Sequence, residues 1–330
     1  MLQGIFIQLK QGWTTRKYGL QLGHTHCSTI TNLRFADDVL LFAPTLPQLT
    51  TMFNDLHNLA EQYGLELHPD KTVILSNLSQ RRGRQATRTV QIGNRPVRVL
   101  HYEDNTKYLG RKLCFNDYHT TEIDNRIAYA WRKFYTLRQE LTNKRYCLRS
   151  RIRLFDSTIT PTILYGCASW TTTQTLTTKF QRTRRHMLRL IVGTPRRRKL
   201  ATPSPSATTS TDDSPNTTTL EPWPDYIRRA TATAEQHLQK LNLPSWPITY
   251  LRRKWRWALR VATQPHNRWP NRAAAWQPQF DLKRITTRRQ GHPHKRWEDD
   301  LQNFICSTIH NYHQQTTPPH WLELASDTTS

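Results

Sequence analysis

The run Arg34-Phe35-Ala36-Asp37-Asp38-Val39-Leu40-Leu41-Phe42-Ala43 sets two adjacent carboxylates inside an apolar segment. Val39, Leu40, Leu41 and Phe42 are too few for a helix and read as a buried strand. Asp37-Asp38 then falls where a hairpin turns, a place Asp tolerates because its side chain bonds local amides. Two acids at the tip of a hairpin repel each other and lose hydration. A divalent cation relieves both effects, since hard Mg²⁺ takes carboxylate oxygens and usually substrate phosphates as well. An ordinary Asp-Asp turn between two strands satisfies the same pattern.

The chain around this run has 330 residues, a formal charge of +24 and a pI near 10.4. That length allows two or three domains and a sizeable core. Charge of this sign calls for a polyanionic partner: nucleic acid first, with an anionic membrane surface as the competitor. No stretch approaches the ~18 uninterrupted apolar residues of a spanning helix, and residues 1–10 lack the charged start and long apolar core of a secretory leader. The cysteines Cys27, Cys114, Cys147, Cys167 and Cys306 form no Cys-x-x-Cys and are odd in number. Reduced thiols and an intracellular location, nuclear or cytoplasmic rather than secreted, are expected.

Outward from the central run, Ile5, Ile7 and Leu9 alternate like a short strand, and residues 18–23 suggest another with a turn. Leu49, Met52, Phe53, Leu56, Leu59, Ala60 and Tyr63 recur at helical spacing, with Thr45 and Pro47 at the start and Gly64 at the end. Leu65 and Leu67 alternate before a turn and the strand Val73-Ile74-Leu75. Val90, Ile92, Val97, Val99 and Tyr102 outline a hairpin around Gly93-Asn94. From about 119 to 195 the pattern is helical. Ile123, Ile127, Trp131, Phe134, Leu137 and Leu141 form one face. Ile152, Phe155 and Ile159 predict a second helix ending near Pro161, and Phe180, Met187, Leu188, Leu190 and Ile191 a third stopped by Gly193 and Pro195. Residues 201–222 are Thr, Ser, Pro, Asp and Asn with almost no apolar content, the composition of a disordered linker.

The segment from Leu33 to Phe42 closely resembles the Phe-Ala-Asp-Asp box of reverse transcriptases from non-LTR (LINE-type) retrotransposons. Two further stretches follow in that family's order. Asp70-Lys71-Thr72 is similar to its Lys-Thr motif after a turn, and Lys107-Tyr108-Leu109-Gly110 resembles its Tyr-Leu-Gly hairpin at the palm–thumb junction. The resemblance covers roughly residues 13 to 195. It implies an α+β fold: a partial antiparallel palm sheet with a packed helix over 1–112, and a helical thumb over 113–200. The linker 201–222 and a mostly helical, basic region over 223–330 complete the expected domains.

The reaction implied by the resemblance is RNA-directed DNA synthesis, in which Mg²⁺ or Mn²⁺ ions stabilise the attacking and leaving oxygens. Asp37 matches the family's metal ligand and Asp38 the acid beside it. Lys71 matches a lysine near the nucleotide phosphates that can protonate the leaving group. A solvated turn lysine fits Lys71 equally. Tyr108, Leu109 and Gly110 match the primer-gripping hairpin. The family's other metal-binding Asp lies on an earlier strand, and residues 1–36 contain no Asp and no Glu. The finger and nucleotide-selecting segments are missing too. The expectation is an N-terminally truncated polymerase that binds template and primer and has little or no activity alone. The alternatives are a non-catalytic nucleic-acid-binding remnant and a longer active enzyme that begins upstream of Met1.

Residues 126–199 hold eighteen Lys and Arg against Glu140 and Asp156, a net of +16. Arg132, Lys133, Arg182, Arg184 and Arg185 are the candidates there for phosphate contact, with an RNA template and a DNA primer as partners. A plain solvated helix face is the alternative. In the tail, Trp255, Trp257, Trp269, Trp276 and Trp297 interleave with arginines, and Arg256 with Trp257 could combine phosphate pairing with base stacking. A helical bundle that uses its tryptophans as core fits the same residues. Zinc is not expected: neither His24, His26 and Cys27 nor Cys306, His310 and His313 include a Cys-x-x-Cys pair.

Overall fold

Leu2, Ile5, Phe6, Leu9 and Trp13 recur at helical spacing, and the first segment folds as helix α1 (Leu2–Thr15). The strand expected from Ile5, Ile7 and Leu9 is therefore corrected. Three alternating residues are outweighed by a five-residue helical stripe, which buries Ile5, Phe6 and Trp13 and leaves Ile7 exposed. The computed structural model describes residues 1–21, 29–77, 88–92, 95–200, 218–265, 268–275, 295–309 and 320–327. The chain divides into two compact units, one of 1–122 with 256–330 and one of 123–255.

In the first unit, β1 (Leu20–Gln21) pairs antiparallel with β2 (Thr29–Ile30), and β3 (Asn32–Phe35) with β4 (Asp38–Leu41). Helix α2 (Leu46–Gln62) follows, with Thr45 at its N-cap position, Pro47 in its first turn and Gly64 at φ +70 just beyond its end. Its apolar residues serve two partners. Met52, Leu56 and Ala60 pack with Ile5, Phe6 and Trp13 of α1, and Val39 and Leu41 of β4 close that cluster. Leu46, Leu49 and Phe53 instead cover a sheet. Tyr63, expected in the stripe, is exposed and accepts a hydrogen bond from Gln8 Nε2 at 3.3 Å.

That sheet holds β5 (Val73–Leu75), β6 (Arg88–Ile92) and β7 (Arg95–Leu100) in the order β5-β7-β6, with β5 parallel and β6 antiparallel to β7. Leu65 and Leu67 form no strand, and a single 3₁₀ turn, Pro69–Lys71, leads into β5. The last hairpin is β8 (Thr106–Tyr108) with β9 (Arg111–Leu113). The α+β class holds, and the first unit carries small antiparallel and mixed sheets.

The second unit is helical. It comprises most of α3 (Tyr118–Thr136), then α4 (Arg138–Thr142), α5 (Leu148–Ile163) and α6 (Gln174–Val192). The short hairpin β10 (Arg198–Leu200) with β11 (Thr218–Leu220), helix α7 (Trp223–Lys240) and most of α8 (Trp246–Ala262) complete it. Pro161 sits inside the final turn of α5, where its missing N–H removes one bond without stopping the helix. Thr173 Oγ1 caps α6 by accepting from Leu176 N, and Gly193 at φ +62 ends it. Phe134, Ile152, Phe155, Ile159, Phe180 and Met187 share one core with Ala234 and Leu238 of α7 and Trp246 and Tyr250 of α8. Helices on both sides of the linker thus bury one another. Residues 201–217 of the expected disordered linker lie outside the described residues, and 218–220 form strand β11.

Glu221 fixes the end of that linker. Its carboxylate, 6% exposed, accepts from Arg229 Nη2 at 2.6 Å, from Arg229 Nε at 3.1 Å and from Arg197 N at 3.3 Å. The hydrogen bonds from Arg229, then the one from Arg197 N, lower its pKa from the usual 4.5 to about 2. A depressed carboxylate stabilises the folded state fully above its unfolded pKa and loses that contribution as pH falls through its folded one. The stability difference between wild type and Glu221→Gln should hold constant above about pH 5 and shrink between 4.5 and about 2. Chemical denaturation across that range reads it, and a difference that does not change with pH would refute the assignment.

In the remainder of the first unit are α9 (Trp269–Ala275), α10 (Asp299–Ile309) and α11 (Trp321–Asp327). Leu301, Ile305, Trp321 and Ala325 are buried there, and Trp321 Nε1 donates to Glu298 Oε2 at 3.1 Å. Trp276 lies outside the described residues, as do His24, His26, Cys27, His310 and His313. Cys114, Cys147, Cys167 and Cys306 are free thiols. No described helix is long and apolar enough to cross a membrane.

Candidate functional site

The β3–β4 register pairs Phe35 with Asp38, so the loop between them is the two residues Ala36-Asp37. Ala36 takes φ +53, a left-handed conformation that favours glycine. Two-residue hairpins use positive φ at the first central position because it matches the twist of the strands. Asp37 therefore sits in the turn and Asp38 opens β4, and both are exposed. Val39 and Leu41 pin the hairpin to the α1–α2 core, and Arg34 adds a second anchor, its guanidinium 4.6 Å from the Phe6 ring centre. On the outer strand Leu33 and Phe35 are exposed.

The Tyr-Leu-Gly stretch also turns in two residues. Tyr108 pairs with Arg111, and the loop residues Leu109 and Gly110 take φ +49 and +71. Both central positions are left-handed, which accounts for the glycine physically. Burial, and then the negative charge of Asp38, pushes the Tyr108 phenol above its ordinary pKa. Lys71 is exposed at the end of its 3₁₀ turn, and among the described residues no ion pair joins it to Asp37 or Asp38.

One positioning residue went unnoticed in the sequence. Glu122, in the second turn of α3, is fully buried and accepts from Lys112 N at 2.8 Å. Its other oxygen lies 3.6 Å from Arg111 Nε, and Arg111 also donates to the Tyr118 hydroxyl. Glu122 and Tyr118 together tie the β8–β9 hairpin to the start of α3. The available signal was a carboxylate four residues after an aromatic, beside Ile123, in a chain segment whose other acids face solvent.

Asp37 and Asp38 are a short donor set for metal. Mg²⁺ can use one or two carboxylates and fill its other positions with water and phosphate. A two-ion phosphoryl-transfer site needs more, and the described residues hold no group of three or more His, Cys, Asp or Glu able to bind a metal ion. The residues present therefore do not fit the two-ion arrangement on their own.

The basic candidates divide. Arg132 and Lys133 on α3 and Arg182 on α6 are exposed. Arg185 is exposed but spends its charge on Glu235, at 2.7 Å. Arg184 corrects the expectation. It is 8% exposed and donates from Nη2 to Pro244 O at 2.9 Å, and burial lowers its guanidinium pKa. Phe180, Arg184, Met187, Leu188 and Ile191 occupy one face of α6, so this arginine replaces an apolar residue in the core stripe. Arg151 is likewise buried, donating to Tyr146 O at 3.2 Å and to Ile191 O. Arg256 and Trp257, neighbours on α8, are both exposed.

No family model and no solved structure matches the chain. The chain is similar to an uncharacterized transposon-derived protein of Caenorhabditis elegans, with 26% identity over 303 residues. The match takes in 90% of this chain and 92% of the relative, more than either compact unit alone could supply. That breadth supports a transposon origin for the chain as a whole.

Proposed function

We propose that this chain is a nucleic-acid-binding part of a non-LTR retrotransposon reverse transcriptase, which holds RNA template and DNA primer and does not transfer nucleotides by itself. The carrying observation is the succession of Asp37-Asp38, Asp70-Lys71-Thr72 and Tyr108-Leu109-Gly110 along the chain, with the first and the last folded as tight two-residue hairpins. Similarity to a transposon-derived protein along nine-tenths of the chain supports the origin. The exposed Arg132, Lys133 and Arg182 support the grip on phosphates.

On this reading Asp37 is a ligand to Mg²⁺ or Mn²⁺ and Asp38 its neighbour. Lys71 faces nucleotide phosphates, and Tyr108 to Gly110 approach the primer. Residues 1–36 contain no Asp and no Glu, so they supply no second carboxylate to this site. The working location is the nucleus or cytoplasm, where such substrates occur. The test is to bind an annealed RNA template and DNA primer to the purified chain and to Asp37→Ala, and to offer both nucleotides with Mg²⁺ or Mn²⁺. Salt-sensitive binding by both proteins and extension by neither is expected. Extension that vanishes in Asp37→Ala would overturn the non-catalytic part, and absence of binding would overturn the whole.

A further inference from the structure

A groove of about 650 Å³ runs between α3 and α6 within the 123–255 unit. Trp131 lines one wall, and Thr178, Lys179, Arg182, Thr183 and His186 line the other. Trp131 stacks on Tyr135 of the next helical turn, with ring centres 5.6 Å apart and planes at 28°. His186 meets Trp131 edge-on at 5.0 Å. Burial, then the charge of Arg189, holds His186 below its usual pKa. Tyr135, beside the groove and outside its lining, is 58% exposed at the end of this aromatic row. Lys179 is committed to Asp124 on the rim. Arg182 makes no ion pair among the described residues and is the groove's available charge.

We propose that this groove takes an unpaired nucleotide of single-stranded nucleic acid, its base extending the Trp131–Tyr135 stack and its phosphate meeting Arg182. The inference rests on the nucleic-acid reading above and narrows it. A duplex presents phosphates to such a surface, but its base faces are already stacked on one another. An unpaired strand offers both, and an aromatic platform beside a cation is the arrangement that uses both. The base has room: the volume lies within the range of small-ligand pockets.

The experiment compares the full chain with Tyr135→Ala and Tyr135→Phe, using a labelled oligo(U) strand and a blunt two-stranded RNA duplex at one salt concentration. Tyr135 is the position to change because it is exposed, whereas Trp131 packs against the core of this unit and its loss would disturb folding. Tyr135→Ala should weaken oligo(U) binding about 5- to 150-fold. Tyr135→Phe should restore it, and duplex affinity should stay unchanged. Unchanged oligo(U) affinity in Tyr135→Ala, or an equal loss for the duplex, would overturn the groove and leave the broader reading intact. A wild-type chain that binds neither probe would overturn both.

Discussion

Replacing Trp246 with alanine should lower the stability of the 123–255 unit by about 3–5 kcal/mol. Trp246 is fully buried. Its ring stacks on Phe155 at 5.9 Å and 16° and leans on Phe180 at 5.2 Å. Its Nε1 donates to Thr160 Oγ1 at 2.9 Å, and that hydroxyl in turn bonds Asp156 Oδ1 at 2.9 Å. Alanine would leave a cavity among α5 and α6 and take a partner from a buried hydroxyl. Trp246→Phe keeps most of the ring contacts and should lose less, of which about 1 kcal/mol is the hydrogen bond. Because Trp246 follows the linker and its neighbours precede it, the loss must appear in α5 and α6. Amide hydrogen exchange in those helices reads it directly. Unchanged protection there would mean that the segment after the linker folds apart from them.

The second large effect belongs to Glu122. Removing one partner of a buried ion pair typically costs about 3–5 kcal/mol, because the remaining charge is left in a low-dielectric site. Arg111 keeps 17% of its side chain in water, which places Glu122→Ala near the lower end, about 3 kcal/mol. The loss should be local. With Glu122 gone, Lys112 N has no acceptor and the β8–β9 hairpin is no longer held to α3. Amide exchange from Tyr108 to Leu113 should accelerate while the α1–α2 core keeps its protection. Glu122→Gln, which can still accept from Lys112 N, should fall between. Equal loosening of the α1–α2 core would show that Glu122 supports the whole unit and not this hairpin.

Long periodic segments were legible from sequence because one stripe of side chains decides them. Helices α2, α3, α5 and α6 follow from Met52 and Leu56, from Ile123 and Phe134, from Ile152 and Phe155, and from Phe180 and Met187. The first tight hairpin was legible through Asp37-Asp38, though its loop is Ala36-Asp37, one residue earlier, and the second only through the resemblance of Tyr108-Leu109-Gly110 to a known hairpin. At the N-terminus, alternation over Ile5, Ile7 and Leu9 hid a longer helical stripe that Leu2, Phe6 and Trp13 complete.

Charged residues were the least legible. Arg184 and Arg182 look alike in a run of basic residues, yet one lies on the core stripe and finds Pro244 O, sixty positions later. Glu122 shows its role only once Arg111 and Lys112 are folded back on it. In both cases the partner that makes burial tolerable comes from another segment, and no local pattern contains it.

The most direct measurement is the salt dependence of template–primer binding by the full chain and by the triple variant Arg132→Ala, Lys133→Ala and Arg182→Ala. Plotted as log K against log salt, wild type should fall steeply, and the variant's slope should be shallower by about 2 to 3, in line with three lost phosphate contacts. Equal slopes in the two proteins, or wild-type binding indifferent to salt, would contradict a nucleic-acid grip through the exposed faces of α3 and α6.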